Sequence, residues 1–341
     1  MPHNPHHTRA TRDIFLAVSL DVEEEGLFGG AYQVQGATVR NVADLKRLEP
    51  LCQRGVRPTL FCAHSVLANA GACHSLAHLR DKHGAEIGAH LHHWNTPPLA
   101  PDQAGAAVAS KVPAGAVPTD IMADKLHSLF DAARRFQGAD VTSFRMGRWD
   151  LHRQHWPLLA QVGVQVDASV RPLHGANDKG NPDHFDAPSN PYWVPVDDSR
   201  IFEAPLTVTP LLPCLRPFVS GPGKGLQPAF HTWGALALLP VYHPLWAMKA
   251  ITSLYIQRGG SLLSLTWHSS EMMPGGAPHI PDGAAVQALL GKIAAYVEWL
   301  ERRWSIRHCT MGELREAMGQ DAPTPQGTAH CDWTAIRGGN A

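Results

Sequence analysis

The feature that most constrains the fold is an alternation of short apolar runs with longer amphipathic segments. The short runs predict strands at 14–20, 57–62, 85–91, 142–146, 164–168, 201–208, 261–267 and 305–309. Helical periodicity falls between most of them, at 42–54, 73–83, 120–137, 152–162, 237–257, 284–302 and 310–318. Because strands that alternate with helices pair in parallel, the pattern predicts an α/β fold with a parallel sheet or barrel that is covered on both faces.

The chain length and the irregular segments favour one domain. At 341 residues the chain is long enough for one large α/β domain or two ordinary ones. Segments 95–118, 171–198 and 209–230 are rich in proline and glycine and predict long loops. We expect residues 1–12 to form a flexible tail, residues 13–318 to form a single domain, and residues 319–341 to form a disordered tail.

Charge and cysteine content exclude several classes of partner. The formal net charge is -1 and no long basic run is present, so neither nucleic acid nor an anionic membrane surface is a predicted partner. The six cysteines form no CxxC pair, which fits a reduced cytosolic protein. The first 30 residues lack a signal-peptide pattern and no apolar run has the length of a membrane span. We therefore expect a cytoplasmic location, while the oligomeric state stays open.

Charged and imidazole side chains follow several predicted strands at their carboxyl ends. They are Asp21 and Glu23 after the first strand, His90 and His92 at the end of the third, Arg145 in the fourth, and His268 and Glu271 after the seventh. In α/β barrels catalytic groups converge at the carboxyl ends of the strands. We therefore expect these side chains to lie close together.

Two of the histidines, with a carboxylate, predict a metal site. His90 and His92 are two residues apart, so in an extended segment both project from the same side. One carboxylate from a neighbouring strand would complete a three-ligand face, which is typical of catalytic zinc and of related open sites. The alternative, surface histidines in a loop, is the weaker interpretation because carboxylates and a further histidine occupy equivalent strand ends.

Four phrases of the sequence carry a family resemblance. The series "SLDVEEEG", "HGAEIGAHLHHWNTPP", "SFRMGRW" and "LTWHSSEM" resembles the motif order of the polysaccharide deacetylases, the NodB-like domain of carbohydrate esterase family 4. The resemblance covers residues 13–310. It implies a distorted (β/α) barrel of about seven parallel strands and a metal-dependent removal of acetyl groups from N-acetylated sugars.

The first motif departs from the usual form of that family, in which two aspartates are adjacent. Here Val22 follows Asp21, and the resemblance to a variant with a spacing of two implies Asp21 as the general base and Glu23 as a metal ligand. In an extended segment these two side chains share a face, and Glu24 points away. The position of Glu25 stays open.

The second motif departs as well, since the usual histidine four residues after His90 is replaced by Trp94. The phrase resembles a branch with "HLH-x-W-x-x-PP", which implies His90 and His92 as metal ligands, with His93 as the alternative. The resemblance implies one divalent ion, with zinc as the first choice and cobalt, nickel or manganese as alternatives.

The remaining motifs imply further catalytic residues. Arg145 would hold the Asp21 carboxylate and lower its pKa, although a salt bridge at the barrel rim is the simpler alternative. The backbone amide of Arg148 would contribute to an oxyanion hole. His268 would protonate the leaving amine, and Asp167 would orient or acidify His268 unless it only forms a strand-end turn.

Candidate substrate contacts lie beside these motifs. Trp94, Trp149 and Trp267 could offer flat apolar faces to a sugar ring, and each could equally be core packing. Glu271 is a further candidate for the pocket.

The predicted function is the hydrolysis of the N-acetyl group of an amino sugar in a surface polysaccharide or in its lipid- or nucleotide-linked precursor. Two alternatives stay open. The first is hydrolysis of other C–N amide bonds, such as the cyclic amides that allantoinases open. The second is a catalytically degenerate carbohydrate-binding homologue, suggested by Val22 and the altered histidine spacing.

Overall fold

The structure is a computed structural model that describes residues 13–30, 32–34, 36–99, 112–175, 180–219 and 225–325. The predicted flexible tail at 1–12 lies outside the described residues, and so do residues 326–341 of the predicted C-terminal tail. Residues 319–325 are described, and two of their carbonyl groups accept hydrogen bonds from Trp193: Gly319 O from Nε1 at 2.6 Å and Pro323 O from the backbone N–H at 2.9 Å. The assignment of the remaining segment to a single domain stays a prediction.

The core element is a curled, mostly parallel sheet, as the alternation predicted. Within the described residues this large sheet has nine strands, and a separate small sheet consists of β8 and β9. The strands are β1 Ile14–Val22, β2 Thr59–Ala63, β3 Glu86–Leu91, β4 Ser143–Met146, β5 Val166–Asp167, β6 Tyr192–Val196, β7 Ser199–Glu203, β8 Val208–Pro210, β9 Ala235–Ala237, β10 Leu262–His268 and β11 Ile306–Cys309. The order in the large sheet is β10-β1-β2-β3-β4-β5-β7-β6, and β11 pairs with the first half of β1. All pairs in this sheet are parallel except β6 with β7.

Helices cover the outside of the sheet. They are α1 Glu49–Cys52, α2 His64–Leu67, α3 Ala70–His83, α4 Thr119–Gln137, α5 Trp156–Gln161, α6 Arg216–Val219, α7 Gln227–Trp233, α8 Leu245–Gln257, α9 Gly283–Glu301 and α10 Met311–Met318. The sequence sets several of their ends. Asp282 accepts a hydrogen bond from Ala285 N and begins α9, and Gly84 ends α3 in the left-handed conformation. None of the helices within the described ranges is long and apolar enough to cross a membrane.

A threonine side chain links the two ends of the curled sheet. Thr207, after β7, donates a hydrogen bond from Oγ1 to Leu262 O at 2.9 Å and accepts one from Ser264 N at 2.8 Å. Both of these partners lie on β10. The hydroxyl group therefore satisfies two backbone groups of an edge strand that no neighbouring strand reaches there, and the sheet approaches a closed barrel.

The sheet is buried on both faces, which explains the nearly continuous apolar runs. All nine residues of β1 are buried, and the strand packs between the outer helices and a smaller inner cluster that includes Phe15 and Phe61. The sequence missed β6, which lies in the proline- and glycine-rich segment 171–198, and β9, which has only three residues. It also placed one strand at 201–208, where the structure has β7 and β8.

Candidate metal centre and catalytic residues

The strand register brings the predicted residues to one edge of the sheet. Asp21 lies opposite His268 on β10, and His90 lies opposite Arg145 on β4. Parallel neighbours end at the same edge, so residues that are 247 positions apart in the case of Asp21 and His268 become adjacent. The predicted convergence at the carboxyl ends of the strands is therefore found.

Glu23, His90 and His92 form a buried cluster that could hold a metal ion. The Oε2 atom of Glu23 lies 3.4 Å from His90 Nε2 and 3.1 Å from His92 Nε2. Ligand atoms of a tetrahedral zinc site, with bonds of about 2.0–2.1 Å, are separated by about 3.3 Å. The spacing of these three side chains therefore fits a metal ion.

Hydrogen bonds on the far side of both imidazoles support the same conclusion. His90 Nδ1 donates to Arg145 O at 2.9 Å, and His92 Nδ1 donates to a carboxylate oxygen of Glu24 at 2.9 Å. With the proton on Nδ1, the lone pair of a neutral imidazole is on Nε2, which faces Glu23. This is the arrangement that metal-binding histidines share.

Glu24 is the residue whose importance the sequence reasoning missed. It points away from the cluster as predicted, but it is buried and accepts hydrogen bonds from His92, Trp94 Nε1, Asn95 Nδ2 and Ser65 Oγ. Burial raises the pKa of the Glu24 carboxyl, but His92 outweighs it and the pKa lies below its usual value. The available signal was a third acid directly beside a predicted ligand, on the opposite face of the strand.

The neighbouring residues His92 and His93 have different surroundings. His92 belongs to the cluster with Glu23, whereas the His93 ring packs edge-to-face against Trp94 with ring centroids 5.2 Å apart. Gly147 explains why His92 fits where it does. A Cβ atom at Gly147 would lie 2.5 Å from His92 Cδ2 and 2.6 Å from Leu91 O, so the ring occupies the space that a side chain would need.

Asp21 is held by a fully buried arginine. Arg145 Nη1 donates to Asp21 Oδ1 at 2.6 Å and to Thr266 Oγ1 at 2.9 Å, while Nη2 donates to Ser19 Oγ and Nε to Ala168 O. Burial raises the pKa of Asp21, but Arg145 and then His90 outweigh this effect, so the pKa lies below its usual value and the carboxyl stays ionised. The second oxygen of Asp21 lies 3.8 Å from His268 Nε2.

His268 has a different orienting partner from the one predicted. Glu271 Oε2 accepts hydrogen bonds from His268 Nδ1 at 3.1 Å and from its backbone N–H at 2.8 Å, while Glu271 Oε1 lies 2.6 Å from His279 Nε2. Burial lowers the pKa of His268, but the carboxylates of Glu23 and Glu271 raise it to about 9. Glu271 is fully buried, so it supports His268 and does not line a pocket.

Asp167 forms a strand-end turn, the second of its two predicted roles, and no hydrogen bond joins it to His268 among the described residues. Its two oxygens accept hydrogen bonds from the Ser169 hydroxyl at 2.6 Å and the Ser169 backbone at 2.9 Å. Burial and the adjacent Asp167 raise the pKa of Glu203 well above its usual value. Asp167 lies in β5 itself, in register with Glu203 on β7, so the two carboxyls form a buried pair.

Two of the three predicted sugar-binding tryptophans are core residues. Trp94 and Trp267 are each 1% exposed. Trp94 stacks on His92 at 4.2 Å between ring centroids, and Trp267 donates from Nε1 to Met272 Sδ at 3.2 Å. Neither ring has a free face for a sugar. Trp149 is half-buried and keeps part of its surface open.

Arg148 and Trp149 follow β4 in an unusual backbone conformation. Both have φ of 59°, in the left-handed region, although neither is glycine. Such a conformation costs roughly 1–2 kcal/mol per residue and is found most often at functional sites. The Arg148 side chain is exposed and lies over the Tyr32 ring, with Cζ 5.9 Å from the ring centroid.

The sequence also missed the two groups that hydrogen-bond to the backbone of Glu23. Ser269 Oγ accepts a hydrogen bond from Glu23 N at 3.1 Å, and Asn41 Nδ2 donates to Glu23 O at 3.0 Å. Glu25 lies outside the site, where its carboxylate pairs with the exposed Arg40 at 2.8 Å. Local spacing does not predict these contacts, because Ser269 and Asn41 are distant from Glu23 in the sequence.

Comparison with solved structures finds the same fold. The chain is similar to a candidate polysaccharide deacetylase from Mycobacterium smegmatis, with 16% identity, a TM-score of 0.52, and coverage of 96% of this chain and 98% of the other. It is also similar to a candidate glycoside hydrolase/deacetylase from Parabacteroides distasonis, with 12% identity, a TM-score of 0.57, and coverage of 91% and 72%. A third similar structure is an allantoinase, with 14% identity, a TM-score of 0.50, and coverage of 95% and 96%.

These similarities confirm the NodB-like barrel that the sequence motifs predicted. At such low identities they show the fold alone. No protein-family model matches the chain, and no curated protein matches it.

Proposed function

We propose that the protein is a metal-dependent hydrolase that removes the N-acetyl group of an amino sugar in a surface polysaccharide or in its lipid- or nucleotide-linked precursor. The observation that carries the proposal is the grouping, at one edge of the sheet, of the Glu23–His90–His92 cluster with Asp21 and His268. The group contains a set of metal ligands, the Asp21 carboxylate held by Arg145, and the further imidazole of His268, which are the parts that amide hydrolysis needs. A cytoplasmic location stays a prediction.

Glu23, His90 and His92 would hold one divalent ion, with zinc the first choice for two imidazoles and a carboxylate, and cobalt, nickel or manganese as alternatives. A bound divalent ion supplies Lewis acidity, which polarises the acetyl carbonyl and lowers the pKa of water. The buried Glu24 carboxylate keeps His92 in the tautomer that this role needs.

The two groups on either side of the cluster would move protons. Asp21, kept ionised by Arg145, accepts a proton from the water that attacks the acetyl carbon. His268, oriented by Glu271, donates a proton to the amine nitrogen as the C–N bond breaks. The oxygen from water and the acetyl group leave as acetate, and the sugar keeps a free amine.

The residues after β4 would bind the reacting group. The strained turn at Arg148 and Trp149 follows the strand that carries Arg145, so the Arg148 backbone N–H is the candidate donor to the developing oxyanion. The exposed part of Trp149 is the candidate surface for a sugar ring. The Arg148 side chain is not needed for the first of these roles.

The proposal is tested by acetate release from the zinc-loaded protein. The substrates are N-acetylated oligosaccharides, a nucleotide-linked N-acetyl sugar and a lipid-linked one, and the matched control is Asp21→Asn with the same metal content. We expect acetate from at least one substrate with the natural protein and none with the variant. A fully metal-loaded protein that releases no acetate from any of them would contradict the proposal.

Cyclic amide hydrolysis is the second candidate function, because one structurally similar protein is an allantoinase. The same ligand cluster, base and acid would serve to open a cyclic amide. Ring opening releases no acetate, so an assay for allantoin consumption separates the two activities. A protein that binds sugars but catalyses neither reaction would support the third interpretation, a degenerate binding homologue.

A further inference from the structure

Arg171 lies shortly after β5, at the sheet edge that carries the candidate site. Its backbone N–H donates to His184 Nδ1 at 3.3 Å. The preceding residue, Val170, donates to Glu203 Oε1 at 3.2 Å and accepts from Leu206 N at 3.0 Å. These bonds fix the backbone from which the Arg171 side chain projects.

The guanidinium of Arg171 has no carboxylate partner and no hydrogen-bond acceptor among the described residues. It lies against one aromatic ring, with Cζ 6.0 Å from the Trp149 centroid. Arg145 contacts the same ring at 4.9 Å, but its nitrogens donate to four oxygens. Both arginines therefore contact the Trp149 ring, but only the guanidinium of Arg145 has hydrogen-bond partners among the described residues.

Among the described residues, the groups around Arg171 supply no negative charge. His174 and His231 pack with ring centroids 4.2 Å apart. Burial, followed by the charge of Arg171, lowers the pKa of His174 to about 3, and burial lowers the pKa of His184 to about 4. Both imidazoles are neutral near pH 7. His184 has used both nitrogens, since Nε2 donates to Leu151 O at 3.0 Å.

Tyr242 connects Arg171 to the catalytic residues. Burial and Glu271 raise the pKa of the Tyr242 hydroxyl while Arg171 lowers it, so the hydroxyl lies within electrostatic range of both groups. Its ring also packs on His279, the other hydrogen-bond partner of Glu271, at 6.2 Å. Tyr242 is 63% exposed. Arg171 and Glu271, the partner of His268, therefore lie near the same exposed tyrosine.

A half-buried cation without a counter-charge is costly, and burial lowers the pKa of Arg171 to about 10, which leaves it charged near pH 7. The planar guanidinium fork matches the oxygens of a carboxylate or a phosphate. The missing counter-charge can come from a ligand.

We infer that Arg171 binds an anionic group of the substrate, a carboxylate or a phosphate, so that the substrate is an acidic N-acetylated sugar. This inference rests on the proposed deacetylation and adds the charge of the substrate to it. The carboxylate would come from an acidic sugar of a polymer, and the phosphate from a nucleotide- or lipid-linked precursor.

The first experiment compares three matched substrates: N-acetylglucosamine, its 1-phosphate, and the corresponding N-acetylated amino uronic acid. The zinc-loaded natural protein, Arg171→Gln and Arg171→Lys are assayed for acetate release. We expect Arg171→Gln to raise KM for the anionic substrates by roughly 10- to 100-fold, the loss of one or two charge-assisted hydrogen bonds, and to leave the neutral substrate unaffected. Arg171→Lys should restore part of the affinity.

Preference for the phosphate identifies the precursor as the source of the anion, and preference for the carboxylate identifies the polymer. Equal kinetic constants for all three substrates in the natural protein and in Arg171→Gln would overturn the inference, while the deacetylase proposal would stand.

The second experiment does not depend on activity. Binding of inorganic phosphate and of methyl glucuronide to the zinc-loaded full chain is measured by calorimetry, with Arg200→Gln as the matched control because Arg200 is exposed and lies over Trp193, away from the site. We expect at least a 10-fold weaker affinity in Arg171→Gln and no change in the control. Equal affinity in all three proteins would overturn the inference. Arg171-dependent binding without acetate release from any substrate would keep the anion site and reject the proposed deacetylation.

Discussion

The site has two sides that differ in how charge is balanced. On the acid–histidine side, formed by Asp21, Glu23, Glu24, His90 and His92, each carboxylate faces a cation or an imidazole. On the arginine side, formed by Arg171 with Trp149 and Tyr242, the guanidinium lies against the Trp149 ring and near neutral imidazoles. The first side has the side chains that could hold a metal ion, whereas no described residue supplies a counter-charge to the second. We therefore assign chemistry to one side and substrate recognition to the other.

The largest expected effect is loss of the metal from the acid–histidine side. Glu23→Gln removes the one charged ligand of the cluster, so metal content should fall below stoichiometry and turnover should fall at least 1,000-fold. The measurement is metal analysis after dialysis together with acetate release. The matched control is Glu25→Gln, because Glu25 pairs with Arg40 outside the site and should keep its metal. Stoichiometric metal in Glu23→Gln would show that the ligand assignment is wrong.

A smaller effect is expected from the partner of the ligand His92. Glu24→Gln keeps the shape but removes the charge that orients the imidazole, and such changes typically weaken metal affinity by about 10–100-fold. Competition with a chelator measures this affinity. Arg171→Gln, on the other side of the site, should leave it unchanged. Equal loss of metal affinity in both variants would break the division into two sides.

Crowding His92 tests the same side by geometry alone. In Gly147→Ala the new methyl group would lie 2.5 Å from the His92 ring, so the ring must move and metal affinity should fall by about 10-fold. The matched control is Gly291→Ala in α9, where nothing lies within 4 Å of the new methyl. That change should raise the free energy of unfolding by about 0.5–1 kcal/mol. An unchanged metal affinity in Gly147→Ala would mean that His92 is not held at this position.

The smallest expected effect concerns the pH dependence of His268. The Glu271 carboxylate raises the pKa of His268, so Glu271→Gln should lower that pKa and move the upper limb of the kcat profile toward lower pH. His268 must be protonated to donate a proton, so activity is lost as pH rises through the pKa of His268. In Glu271→Gln this loss should begin at a lower pH. KM for an anionic substrate should stay the same. An unchanged upper limb would show that Glu271 does not raise the pKa of the catalytic acid.

The sequence was sufficient for the parts of the site that local spacing determines. A separation of two residues predicted that Asp21 and Glu23 share a face, and the same rule brought His90 and His92 together. The parallel order of the strands then predicted their convergence. These inferences succeeded because alternation along a strand is a local property of the backbone.

Other parts depend on long-range packing, which local spacing does not contain. Glu271 and not Asp167 is the hydrogen-bond partner of His268, because the turn after β10 brings Glu271 back to it, whereas Asp167 lies in β5 and accepts from Ser169. The burial of Trp94 follows from its stacking on His92. Arg171 lies in a segment that predicted only a loop, and its lack of an ion-pair partner among the described residues is visible only once the fold is known.

The central claim is that the acid–histidine side hydrolyses an acetamide with Asp21 as the base. The most direct measurement is acetate release by Asp21→Asn, with its metal content determined on the same sample. Our account predicts stoichiometric metal and turnover reduced at least 1,000-fold, because the variant keeps the ligand cluster and loses the proton acceptor. Turnover close to that of the natural protein, with the metal still bound, would contradict it.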